Sequence, residues 1–251
     1  NRIYKVIWSK VRHCYVVVSE LAKKDGKSVS TRGRVSKKMA ASLAVMALCA
    51  GMMSGVMAAD TATGAGSGVA YGTGSEATKA TNTAVGSGAK ATGLLDAVAV
   101  GNKANASGMS GTAIGSSAEV TGSSGTALGT KAQAAGSAVA VGVSAQATVV
   151  SSIAVGNLAQ ATGNTSMAIG KEAAASNSNS IAIGSKANAS NSNSIAIGLS
   201  TIASGSSAVS IGYKTEATGG SSAVFGYESK ATNSEATAIG YKSTTASRES
   251  L

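Results

Sequence analysis

Short apolar runs of three residues recur along most of the chain, and each is followed by glycine, as in Ile181-Ala182-Ile183-Gly184. Aligned on that glycine, which we call the repeat glycine, the motif occurs thirteen times, and ten of the twelve intervals are 14 residues long. One interval is 15 residues and one is 13. The repeat glycines are residues 72, 86, 101, 115, 129, 142, 156, 170, 184, 198, 212, 226 and 240. Such regularity predicts a solenoid of stacked coils.

Each repeat holds two short alternating segments. The residues three and one before the repeat glycine are bulky and apolar, as Ile153 and Val155 are, so we expect them to face inward from a strand. The residues three and five after it are small, as Ala159 and Ala161 are, which predicts a second inward-facing strand. The positions two and four after the glycine vary among polar types and are expected to face water.

Two turns close each repeat. Seven residues after the repeat glycine stands Gly in seven repeats, as at Gly163, and Asn in three, as at Asn177, and both tolerate positive φ. We therefore expect a left-handed residue there, with the repeat glycine serving the other corner. Two strands and two turns make one coil of a thin, all-β parallel roll.

The residue two before the repeat glycine is almost always alanine and alternates with the bulky pair, so it is expected on the opposite face. A solvent-facing position would vary, so a constant small apolar residue predicts a surface packed against another copy of the chain. We expect a homo-oligomer whose axis is lined by Ala99, Ala113, Ala127, Ala140, Ala154, Ala168, Ala182 and Ala196.

The first 59 residues form a different segment. Apolar positions 3, 7, 11, 14, 18 and 21 fall on one stripe and predict an amphipathic helix. Residues 32–59 have a basic start, an apolar stretch over 39–57 and small residues at the end, which together are typical of a secretory signal peptide cleaved after Ala58 or Ala59. A membrane anchor is the alternative, because about 18 apolar residues can span a bilayer.

Charge and composition narrow the function. Of the net charge of +10, residues 1–59 carry +9, with 11 Lys/Arg against 2 Asp/Glu, so the remainder is nearly neutral and nucleic acid is not expected as a partner. Both cysteines, Cys14 and Cys49, and the single His13 lie in that segment. We therefore expect no metal, no cofactor, no thiol or histidine catalysis and no enzyme in the remainder.

Two family resemblances rest on these residues. Ile3-Tyr4-Lys5-Val6-Ile7-Trp8 and Val16-Val17-Val18, within residues 1–31, resemble the extended signal peptide region of large secreted proteins of Gram-negative bacteria. Asn179-Ser180-Ile181-Ala182-Ile183-Gly184 and its copies, over residues 69–246, resemble the YadA-like head of trimeric autotransporter adhesins. That resemblance implies a left-handed parallel β-roll, a homotrimer, display on the outer membrane and attachment to host extracellular matrix or a cell-surface receptor, collagen being one typical ligand.

The resemblance also implies parts that the sequence does not show. A neck, a stalk and a membrane β-barrel normally follow such a head, whereas residues 247–251 carry none of them, so we expect the outer-membrane anchor outside this sequence. Residues 60–68 form a glycine-rich start of the mature chain. The collagen-associated pattern is met only in part, because Ala187 and Thr201 stand where it has serine.

Two functions stay open: an adhesin head that binds by many weak contacts, and a structural spacer or self-associating head without a receptor. Candidate ligand contacts are Asn164, Ser166, Asn179, Ser180, Asn193 and Ser194, although Asn and Ser are also ordinary turn residues. Tyr213, Tyr227 and Tyr241 follow successive repeat glycines directly and are expected to stack into a ladder. That ladder is either a recognition stripe or packing at the end of the roll.

Overall fold

A computed structural model describes the backbone of residues 4–9 and 14–19 and the whole of residues 68–245. The chain divides into two units, Asn1–Val56 and Met57–Leu251. The signal peptide, its cleavage site at Ala58 or Ala59, and residues 247–251 lie outside the described residues. Within the described residues, no helix is long and apolar enough to cross a membrane.

The described part of the first unit is a β-hairpin, so the predicted helix is wrong there. Strand β1 (Tyr4–Ser9) pairs antiparallel with β2 (Cys14–Ser19), and Tyr4 lies opposite Ser19. Tyr15 and the run Val16 to Val18 are aromatic and β-branched, and such residues favour strands over helices. The helix prediction used only the spacing of the apolar residues and did not consider their aromatic and β-branched character.

The second unit is the predicted solenoid, with thirteen coils and two parallel sheets of thirteen strands each. The long-strand sheet holds the apolar runs. Its strands are β3 (Val69–Tyr71), β5 (Thr83–Val85), β7 (Val98–Val100), β9 (Thr112–Ile114), β11 (Thr126–Leu128), β13 (Val139–Val141), β15 (Ile153–Val155), β17 (Met167–Ile169), β19 (Ile181–Ile183), β21 (Ile195–Ile197), β23 (Val209–Tyr213), β25 (Ala223–Tyr227) and β27 (Thr237–Tyr241).

The short-strand sheet alternates with it along the chain. Its strands are β4 (Glu76–Ala77), β6 (Lys90–Ala91), β8 (Asn105–Ala106), β10 (Glu119–Val120), β12 (Gln133–Ala134), β14 (Gln146–Ala147), β16 (Gln160–Ala161), β18 (Ala174–Ala175), β20 (Asn188–Ala189), β22 (Ile202–Ala203), β24 (Glu216–Ala217), β26 (Lys230–Ala231) and β28 (Thr244–Thr245). In both sheets each strand pairs in register with the equivalent strand of the next coil, for example Ala182 with Ala196.

The core between the sheets is built almost entirely from alanine. The predicted inward positions after the repeat glycine are confirmed, since Ala159 and Ala161 are fully buried. Val120 and Val224 are the largest fully buried apolar side chains of the described residues. Two facing sheets joined by such short corners enclose a space that alanine fills and isoleucine does not fit.

The orientation of the long strands is the reverse of the prediction. The alanines two before the repeat glycine, assigned above to an oligomer axis, have no exposed surface in the single chain and face its own core. They are Ala99, Ala113, Ala127, Ala140, Ala154, Ala168, Ala182 and Ala196. The bulky neighbours, such as Ile153 and Val155, are half-buried and point outward. The alternation correctly separated the strand residues into two faces, but the narrow core has room only for the face that carries alanine.

The corners are also placed differently from the prediction. Repeat glycines from Gly72 to Gly240 have φ between +117° and +152°, which confirms the corner predicted at the repeat glycine. Gly163 is not in the positive region, and the left-handed residues of its coil are Leu158 and Thr165, with φ of 58° and 51°. A Cβ at Gly163 would overlap the backbone of Asn177 in the next coil, so glycine is needed there for close approach.

Candidate interaction surfaces

The outer side of the long-strand sheet, which we call the apolar face, is a largely apolar surface interrupted by Thr83, Thr112, Thr126 and Thr237. It consists of the residues three and one before each repeat glycine. Inner members such as Ile181 and Ile183 are half-buried by the equivalent residues of adjacent coils, whereas Ile239 is 64% exposed. Thirteen strands spaced by about 4.8 Å, each about 10 Å long, give this surface an area of roughly 600 Å². The largest apolar patches on single chains reach about 300–600 Å² and are often functional, so this face is a candidate interaction site.

The three candidate serines face the core. Ser166, Ser180 and Ser194 are buried, and each hydroxyl donates to the carbonyl oxygen three residues earlier, at Gly163, Asn177 and Asn191, over 2.6–2.7 Å. Their assignment as ligand contacts is therefore wrong. Each of these serines stabilises a turn by a hydrogen bond on its core side.

The three candidate asparagines lie on the surface. Asn164, Asn179 and Asn193 are exposed, and the Asn179 amide donates to Asn193 Oδ1 over 3.2 Å. Thr165 donates to Asn179 Oδ1 in turn, so a polar ladder crosses three coils. Their contact with a ligand stays a prediction.

The predicted tyrosine ladder is present. The rings of Tyr213 and Tyr227 are stacked with centroids 4.8 Å apart, and those of Tyr227 and Tyr241 are 5.3 Å apart. The Nζ atoms of Lys214 and Lys242 lie 5.2 Å from the Tyr213 and Tyr241 centroids respectively. The Glu228 carboxylate, followed by desolvation, raises the pKa of the Tyr227 phenol above its ordinary value of 10.0. The ladder borders the apolar face, because β23, β25 and β27 continue through the repeat glycine to these tyrosines.

Comparison with protein families identifies the repeats. The family model described as the YadA head domain repeat matches residues 95–118, 136–159, 150–173, 161–187, 175–201, 189–215 and 217–243, which together make up more than half of the chain. The chain belongs to the YadA head family. No curated protein matches it.

The YadA head repeats indicate the head of an adhesin-type trimeric autotransporter. The start of the chain agrees with this, because residues 1–49 match the Extended Signal Peptide of Type V secretion system. That match extends past residue 31, where the sequence analysis ended the extended region. Together the two matches indicate export to the cell surface by the type V route.

The outer side of the short-strand sheet in this YadA head is polar and paired from coil to coil. Lys230 Nζ lies 2.9 Å from Glu216 Oε2 on this side, and at the corner between the two sheets Lys242 Nζ lies 3.6 Å from Glu228 Oε2. A shallow depression of about 170 Å³ is lined partly by Glu119 and Gln133, whose side chains bond to each other over 3.2 Å. Among the described residues, no three His, Cys, Asp or Glu side chains are grouped so as to hold a metal ion. Fold and family are structural in character rather than catalytic.

Two structurally important side chains escaped the sequence analysis. Asn82 is buried. Its side-chain Nδ2 donates to the carbonyl oxygens of Ala91 and Gly93, and its Oδ1 accepts a hydrogen bond from the backbone N–H of Ala97. It precedes the single 15-residue interval, and that irregular length was the sequence signal that a special side chain is needed in this coil. Val120 is a bulky residue in a column otherwise filled mostly by alanine, and this size difference was visible in the aligned repeats.

Proposed function

We propose that this chain is the head of a homotrimeric bacterial surface adhesin that attaches to host cells or extracellular matrix proteins by multivalent contacts. The observation that carries the trimer is the apolar face. A single chain leaves that face uncovered along all thirteen coils, and three copies turned towards a common axis would bury it. The bulky pairs, not the alanines between them, are then the axis residues.

Multivalency supports the adhesive role. Three copies of a thirteen-coil surface would multiply contacts that are individually weak, so strong attachment needs no deep pocket. The exposed asparagine ladder and the tyrosine ladder are the candidate contacts on that surface. We place the head outside the outer membrane, at the cell surface.

The test uses purified residues 60–251. Sedimentation is expected to give a trimer, and surface binding is expected on at least one of immobilised collagen, fibronectin and laminin. A folded monomer would overturn the trimer. A trimer that binds none of these proteins and no host cells would instead support the spacer or self-association role, which clumping of cells displaying the head would then measure.

A further inference from the structure

Two edges flank each of the long strands β5 to β27. The glycine edge consists of the residues one and two after each repeat glycine, and the serine edge consists of the residues six and five before it. On β23, for example, these are Tyr213 and Lys214 at one end and Ser206 and Ser207 at the other. Because the strands are stacked in register, both edges of a strand lie at one level of the rod.

The sizes of the side chains one position after and six positions before each repeat glycine are reciprocal, whereas Leu158, two after a repeat glycine, is a further bulky residue on the strand that has Val150 at its other end. Bulky apolar or aromatic residues one position after a repeat glycine are Val143, Leu199, Tyr213, Tyr227 and Tyr241, and at the other ends of the same strands stand Gly136, Ser192, Ser206, Gly220 and Ser234. Bulky residues six positions before a repeat glycine are Leu95, Met109 and Val150, and opposite them stand Asn102, Ser116 and Asn157. None of the long strands β5 to β27 has a bulky apolar or aromatic residue both one position after and six positions before its repeat glycine.

Packing within one chain does not explain this reciprocity. The two edges are separated by a three-residue strand, which alone spans about 10 Å. Side chains at its two ends therefore do not compete for the same space. Several bulky members are also exposed, with Leu95 at 53% and Tyr241 at 70%, so the described residues leave about half or more of each of these two side chains uncovered.

We infer that the glycine edge of each chain packs against the serine edge of the next chain at the same level, so that each bulky side chain faces a small one. This inference rests on the proposed homotrimer. When three long-strand sheets are arranged around one axis, one edge of each sheet contacts the opposite edge of its neighbour. This is a head-to-tail contact that three-fold symmetry closes. The occupant of each edge is thus a second copy of this chain.

Charge follows the same arrangement. Asp96 and Glu235 are the acidic residues five positions before a repeat glycine, on the serine edge. On the glycine edge of their strands the residues two after the repeat glycine are Lys103 and Lys242. Neighbouring chains would therefore bring a carboxylate towards an ammonium group at the level of β7 and again at the level of β27, where Lys242 also lies 3.6 Å from Glu228 of its own chain.

A bulk-exchange experiment tests the packing. Within the chain, a Cβ at Gly220 would meet nothing closer than 3.7 Å, so Gly220→Leu should leave the single roll intact. It should nevertheless clash with Tyr227 of the neighbouring chain and raise the trimer dissociation constant about ten-fold or more. Adding Tyr227→Ser should restore most of the loss, because it recreates the natural arrangement of Leu95 with Asn102. The matched control is Thr218→Leu, which is exposed on the outer side of the same coil and should change little.

Thiol cross-linking gives an independent result, since residues 60–251 contain no cysteine. The double variant Ser206→Cys with Tyr213→Cys, treated with oxidant or a short bismaleimide, should run as covalent dimers and trimers on a denaturing gel. Each single variant should stay monomeric, because a head-to-tail contact brings position 206 to position 213 and not to itself.

The outcomes separate this inference from the proposed function. A trimer in sedimentation that yields no cross-link, together with no rescue of Gly220→Leu, overturns the edge pairing and leaves the homotrimer standing. Cross-linked dimers from a single variant also overturn it, because they require a two-fold contact. A folded monomer in sedimentation overturns the homotrimer itself and the edge pairing with it.

Discussion

At the scale of single residues, Asn82 shows how one side chain accommodates an irregular repeat. Its three hydrogen bonds satisfy backbone groups at the far corner of the 15-residue coil. Asn82→Ala is expected to lower the free energy of unfolding by about 2–4 kcal/mol, because buried polar groups are left unpaired. Urea unfolding of residues 60–251 measures this, with the exposed Gln160→Ala on the outer side of a short strand as the control. A loss no larger than that of the control would contradict the assigned role.

Val120 and its glycine neighbours form a matched set. A Cβ at Gly111 would approach Val120 Cγ1 to 2.9 Å, so Gly111→Ala should destabilise the coil. Val120→Ala should destabilise it as well, by leaving a cavity. The double variant should be more stable than the sum of the two changes predicts, with a coupling of about 1–3 kcal/mol. Strictly additive losses in a double-mutant cycle would show that the two sites do not share this space.

Tyr227 responds to the charge beside it. Because Glu228 raises its pKa, the unfolded chain releases the phenol proton at lower pH than the folded chain does. The contribution of Tyr227 to stability is thus complete below pH 10.0 and is lost as the pH rises through the folded-state pKa. Glu228→Gln should lower that pKa, as measured by tyrosinate absorbance, and Glu119→Gln should not. An unchanged titration would remove Glu228 as the cause.

At the scale of the element, the sequence predicted the coils but not which side of each long strand faces in. The thirteen coils, the two strands in each and the tyrosine ladder all follow from spacing. Alternation alone cannot say whether Ala154 or its neighbours Ile153 and Val155 are inside. The usual rule places the larger residues in the core, and it fails here because a single roll is too thin to enclose them.

This orientation makes a direct prediction. Ala154→Leu should unfold or strongly destabilise the single roll, because its fully buried position has no free volume. Ile153→Ser should leave the roll folded but weaken the trimer, because its side chain lies on the apolar face. Circular dichroism and sedimentation separate the two effects. A folded monomeric Ala154→Leu variant would favour the original assignment of alanine to the axis.

The candidate site was harder to predict than the coils. Ser180 and Asn179 are adjacent polar turn residues, yet one is buried and the other exposed. Left-handed backbone occurs at residues as different as Lys214 and Ser207, so residue type did not mark the corners. Reciprocity between the edges became visible only after the structure had assigned each position to a strand end.

At the scale of the whole molecule, in-register stacking makes each coil a separable unit. Residues 176–189 and 190–203 begin with the same nine residues and occupy equivalent positions in successive coils. Deleting 176–189 should yield a folded rod shorter by about 4.8 Å in small-angle scattering. Deleting only 176–182 should prevent folding, because it fuses one sheet to the wrong partner. Loss of folding in the full-coil deletion would show that the coils are not interchangeable.

Nearly identical neighbouring coils also have a genetic consequence. Unequal recombination between their coding segments would add or remove whole coils, so the reach of the head beyond the bacterial envelope can change between generations in quantised steps. Every interior contact between coils would be of a kind already present in the parent. Length is therefore a trait that selection can adjust without redesigning the protein.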